Sequence, residues 1–164
     1  MPTINQRQNL RTLADYLAQL PKGYEHFDMA YYYLIREGCG TTACALGHAP
    51  SAGIITLENE TWEEFSKRVF GIADDDRDIV AGEFTKDWEW LFSENWQYID
   101  NTPHGAAARI FIYLYGGVPK EFIKAVGDRQ YLRQLCDADF IGVVATYNAI
   151  LNENGYGHLM VQPA

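Results

Sequence analysis

The stretch NTPHGAAARIFIYLYGG, residues 101–117, constrains the fold of this chain more than any other segment. Asn101 or Thr102 offers a side-chain acceptor to unpaired helix amides. Pro103 sits where its missing N–H costs nothing, and two glycines close the run. This order of residues predicts a helix over 103–115. The same signals recur elsewhere. Thr61 followed by Glu64 has capping-box spacing and opens TWEEFSKRVFGI. From Asn5 to Leu20, the apolar residues Leu10, Leu13, Ala14, Leu17 and Leu20 recur at steps of three and four, which is one helical face, and Pro21 and Gly23 end it.

The remaining segments follow suit. FTKDWEWLFSENW reads as helical from Thr85, with Trp88 and Phe92 on one side. VPKEFIKAV begins with Pro119 in a first turn, and RQYLRQL continues after Gly127. DADFIGVVATYNAILNE places Phe140, Val143, Val144, Tyr147, Ile150 and Leu151 at helical spacing before Asn154-Gly155. FDMAYYYL suits a short helix capped by Asp28, or equally a strand. GIITLE is the one fair strand candidate, and residues from about 155 read as a terminal extension. The expectation is an all-α fold, mainly short helices with at most a minor β-hairpin, in a single compact domain.

A chain of 164 residues has the length of one domain and can bury roughly two-thirds of its unfolded surface. With 48% apolar and 14% aromatic residues it has the mass for a core, which disordered chains lack. Thirteen basic residues face 22 acidic ones, a net charge of −9. Such a surface repels nucleic-acid phosphate and anionic lipid; it would favour a basic protein partner, although keeping the protein in solution is the preferred reading of the excess acid. No run approaches the roughly 20 apolar residues that span a bilayer, and the first twenty residues lack the apolar core of a signal peptide. Three cysteines, Cys39, Cys44 and Cys136, are too few for a disulfide scaffold. The expected setting is a reducing cytoplasm.

Chemistry concentrates in CGTTACALGHAP, residues 39–50. Gly40 permits a turn, Thr41 or Thr42 can cap, and Pro50 terminates, predicting two helical turns near residues 42–49. Cys44 would then lie in a first turn, where the macrodipole favours a thiolate, with His48 four residues on along the same face. Three readings compete. In the first, Cys44 or Cys39 is a nucleophile of a hydrolase or transferase, served by His48 or by a distant His104 or His26 with Asp28 or Asp100 behind it. In the second, Cys39, Cys44 and His48 ligate zinc, although structural zinc sites pair cysteines two to four residues apart. In the third, preferred here, Cys44 packs as a small hydrophobe among Ala43, Ala45 and Gly47, and His48 caps a helix C-terminus as a cation.

A second constellation is DNTPHGAAARI, with Thr102 at a helix entrance, His104 in its first turn and Arg109 nearly two turns on. Such an entrance can hold a phosphate or carboxylate, but a well-capped helix with a polar entrance is the preferred reading. The acidic run Asp74–Asp78 lacks the glycine and the terminal glutamate of a calcium loop. No phosphate-binding glycine loop, dinucleotide fingerprint or zincin helix occurs, so no cofactor is implied.

Together HFDM, CGTTACALGHAP, WEEFSKRVFG, WEWLFSENW and DNTPHGAAARI resemble a family of small phage- and prophage-encoded proteins with a CGTxxCxxGH-type segment. The resemblance covers roughly residues 5–118 and carries over no catalytic or binding residue. It implies an accessory protein working in the cytoplasm of a bacterial host. The function expected is binding of a host protein or a small anionic ligand, with countering a bacterial defence system as one such role. The enzyme and zinc readings above are the alternatives.

Overall fold

The computed structural model describes residues 2–32, 34–36, 40–73, 86–127 and 137–162. Helix α1 spans Ile4–Gln19 and starts one residue before the predicted Asn5, because Thr3 and Gln6 form a reciprocal capping box. Its stripe Leu10, Leu13, Ala14 and Leu17 is fully buried. Helix α2, Trp62–Phe70, carries the predicted Thr61–Glu64 box and stops at Gly71. Helix α3 covers Lys86–Leu91. Helix α4 spans Pro103–Gly116, with Thr102 accepting the Gly105 amide. Helices α5, Lys120–Val126, and α6, Asp137–Glu153, follow.

The protein is a mainly helical single domain. Helix α1 lies against α4 and α2, α3 touches α4, and α5 pairs with α6. A helix leaves its last carbonyls without intrahelical donors. Polar side chains of α1 supply several. Gln6 Nε2 donates to the Lys67 and Arg68 carbonyls (3.4 and 3.3 Å), and Asn9 Nδ2 donates to Val69 (2.8 Å). Arg7 Nη2 donates to the Leu114 carbonyl near the end of α4. The core is aromatic: Trp90, Trp96, Phe65, Phe70, Phe92, Phe122 and Tyr147 are all fully buried. Burying each such side chain contributes roughly 1.5–3 kcal/mol. Among the described residues no helix is long and apolar enough to cross a membrane.

Several expectations are corrected. FDMAYYYL is not a helix. Its first part is an irregular segment clasped to Ala43, and its last residue begins strand β1, Leu34–Arg36. That strand pairs antiparallel with β2, Gly40–Thr42, in the register Leu34 to Thr42 and Arg36 to Gly40. GIITLE is not a strand: residues 54–57 form a loop with only Ile54 turned inward. Pro119 stands at the cap before α5 rather than in its first turn. The tail is no mere extension. It makes a short 3₁₀ turn, Gly157–Leu159, and Val161 exchanges two hydrogen bonds with the Asn148 amide (2.8 and 2.9 Å). Thr85, RQYLRQL and Asp74–Asp78 lie outside the described residues.

Candidate functional site

The CGTTACALGHAP segment does not form the helix expected over residues 42–49. Gly40–Thr42 form β2, Leu46–His48 make a 3₁₀ turn, and Pro50, expected to terminate a helix, instead begins a second 3₁₀ turn, Pro50–Ala52. The cause is competition for backbone amides. Ala43 N–H donates to His26 (3.0 Å) and Cys44 N–H to Tyr31 (2.6 Å), so both are held by a neighbouring segment. The approach is closest at Gly47, where an added Cβ would lie 1.6 Å from the Tyr32 carbonyl oxygen. Only glycine lets these two backbones meet.

Cys44 is 1% exposed, and its sulfur accepts the Gly47 N–H at 3.5 Å. Burial raises the thiol pKa to about 11, the opposite of the depression expected at an α-helical first turn. His48 is buried too. Its ring stacks on Phe27 at 5.7 Å and 7°, with Tyr24 and Tyr16 rings at 5.9 and 6.2 Å. Nε2 faces the His26 carbonyl at 3.2 Å, a contact that needs the proton on that nitrogen. Burial lowers the His48 pKa, so the neutral ring is favoured and the expected cationic helix cap is corrected. His104 turns its own Nε2 to the Leu20 carbonyl at 2.6 Å. Cys39 and Cys136 lie outside the described residues, and among those described no three His, Cys, Asp or Glu side chains gather as metal ligands.

The entrance of α4 holds a buried polar network. Thr102 Oγ1 donates to Asp100 Oδ1 (2.6 Å) while accepting the Gly105 amide (3.0 Å). The Tyr147 hydroxyl donates to Asp100 Oδ2, and Arg109 Nη1 donates to that hydroxyl (3.2 Å) and lies 3.7 Å from Oδ2. The guanidinium carbon stands 4.0 Å from the Trp96 ring centroid, a cation–π contact. A Cβ on Gly105 would strike Asp100 Oδ2 at 1.9 Å, so this glycine makes room for the carboxylate. Thr102 and Arg109 thus meet at Asp100, while His104 points elsewhere. The carboxylate that meets Arg109 is the chain's own. Arg109 is fully buried, and among the described residues its Nε and Nη2 have no hydrogen-bond partner.

Two surface features escaped the sequence reading. A cleft of about 760 Å³ opens at the C-terminal end of α4, lined by residues that include Arg7, Lys86, Asp87, Tyr113, Tyr115 and Gly116. Its cations come from α1 and α3, far apart in sequence, so no local motif marks them. The second feature is the loop after Ile54. Ile55 and Leu57 are 67% and 60% exposed, yet their loop is tightly held. Arg68 makes a two-pronged ion pair with Glu60 (2.6 and 2.8 Å) and donates to the Ile55 carbonyl (3.0 Å). That pairing holds the Glu60 carboxyl at about 2, well below its usual range. Glu60 also accepts the Leu57 amide at 2.9 Å, and Asn59 completes the turn with φ of 61°. A period-two alternation, Ile55-Thr56-Leu57, gave the only hint, and it reads as a strand. No protein-family model, curated protein or solved structure matches this chain.

Proposed function

We propose that this protein acts by binding a basic host protein through the loop of residues 54–60. One observation carries this reading: two aliphatic side chains, Ile55 and Leu57, stand in water on a turn fixed by the Arg68–Glu60 pair. Holding an apolar loop rigid in solvent brings folding little benefit, whereas it removes ordering cost from association. Glu58 follows Leu57 in the chain, Glu63 and Glu64 lie in the first turn of the helix after the loop, and the whole chain carries −9. The complementary surface is an apolar groove with a basic rim. A second copy of this chain would bring the same negative charge and be repelled. In the phage-type setting that the resemblance implies, a host protein is the partner class, and countering a defence system is a role such binding serves.

The Cys/His enzyme reading draws less support. Cys44 is buried with a raised pKa, and the Nε2 atoms of His48 and His104 are engaged by carbonyls.

The test is a photo-crosslinker placed at Leu57 in bacterial cells, followed by titration of the purified crosslinked protein. The expected partner binds the parent chain in a salt-sensitive manner and loses at least tenfold in affinity with Ile55→Asp. Equal affinity for the parent and the variant overturns the proposal, as does a crosslink only to a second copy of the chain.

A further inference from the structure

The cleft at the end of α4 carries an inference independent of the partner reading. In a chain with a net charge of −9, Arg7 and Lys86 here outnumber the one acidic side chain among the lining residues, Asp87. Asp87 is engaged: its Oδ2 accepts the Tyr113 hydroxyl at 3.3 Å. Arg7 is anchored by one donor on the Leu114 carbonyl, which fixes its position and leaves the other guanidinium donors for a ligand. Such a pre-placed fork suits phosphate oxygens, with the lysine as a second point charge. Tyr115 is 81% exposed and, among the described residues, its ring stacks on no other ring, so it presents a flat face beside them. At Gly116 a Cβ would meet nothing within 4 Å, so the cleft is open where that residue borders it.

We propose that this cleft binds a small phosphorylated molecule with a planar ring, of the nucleotide class, with Arg7 and Lys86 on the phosphate and Tyr115 against the ring. About 760 Å³ accommodates a mononucleotide within the range of small-ligand sites. Asp87, its Oδ2 held by the Tyr113 hydroxyl, has its other carboxylate oxygen to offer a ligand hydroxyl.

Calorimetric titration with adenosine monophosphate, adenosine and inorganic phosphate tests this. Adenosine monophosphate binds, more tightly than either probe lacking one half of it, and more weakly as salt rises. Arg7→Ala and Lys86→Ala each weaken it about tenfold, and Tyr115→Ala weakens the nucleotide but not phosphate. Gly116→Phe fills the cleft without removing a charge and abolishes binding, with an unchanged thermal melt showing that the fold is kept. No binding of the nucleotide at millimolar concentration overturns the proposal. So does equal binding of phosphate and nucleotide, or binding indifferent to Arg7→Ala and Gly116→Phe. None of these outcomes depends on whether the 54–60 loop meets a partner.

Discussion

Cys44 and His48 are residues whose chemistry is decided by where the backbone lets them sit. Cys44 was legible as a small packing residue from its alanine and glycine neighbours. The absence of a helix around it was not legible, because the amides that would begin one are taken by His26 and Tyr31, which lie well before it in the chain. With the sulfur enclosed, Cys44→Ser places a hydroxyl where its proton has no acceptor, and we expect a loss of about 1–3 kcal/mol in urea unfolding. Cys44→Ala is expected to cost less, since it leaves a small void and removes only the long Gly47 N–H to sulfur contact. Peptide mapping after iodoacetamide treatment should show Cys44 alkylated far more slowly in the folded than in the denatured protein.

His48 supplies a pH signature at the same scale. Its folded pKa lies below the ordinary 6.5 because burial among Phe27, Tyr24 and Tyr16 disfavours the cation. As pH falls through 6.5 the unfolded chain takes up the proton first, so acid favours unfolding. The stability present above pH 6.5 is lost as pH drops toward the lowered folded value. Unfolding free energies measured at pH 5 and 7.5 should therefore diverge more in the parent protein than in His48→Phe. Equal pH dependence would remove His48 from this account.

At the scale of elements, the helices were readable because their caps are local. Thr61 with Glu64 and Thr102 with Pro103 each specify a start within four residues, and the structure places α2 and α4 there. A minor hairpin was allowed for, but its place was not readable, since β1 and β2 are three residues each and the tyrosine run before them fits helix or strand. The inward turn of Arg109 was likewise hidden. Nothing near it in sequence announces Tyr147, which comes from α6 and joins it at Asp100. A buried pair of this kind holds the elements in register but is costly when halved. Asp100→Asn leaves a buried guanidinium without its counter-charge and is expected to cost about 3–5 kcal/mol. Arg109→Met strands the carboxylate in the same way. The double variant should lose less than the sum of the two by roughly 0.5–3 kcal/mol, a coupling read from denaturant unfolding of all four proteins. Strict additivity would mean that the two charges do not sense each other.

For the whole molecule, composition had already pointed to a folded acidic domain, and patterning to a helical one. What neither could give is surface geometry. Ile55 and Leu57 are ordinary apolar letters until Arg68, eleven and more positions later, is found bracing their turn. Arg7 and Lys86 become neighbours of one cleft only once α1 and α3 have packed against α4. Residues 43–49 of the segment that dominates the sequence are buried, and both the 54–60 loop and the cleft lie outside it. We therefore place the proposed binding on the 54–60 loop rather than in that segment. The most direct test is the affinity of the protein trapped at Leu57 for three folded chains: the parent, Arg68→Ala and Cys44→Ala. Cys44→Ala is expected to stay within about twofold of the parent, while Arg68→Ala weakens binding about tenfold by freeing the loop. Unchanged affinity in Arg68→Ala, with loss in Cys44→Ala, would contradict that placement.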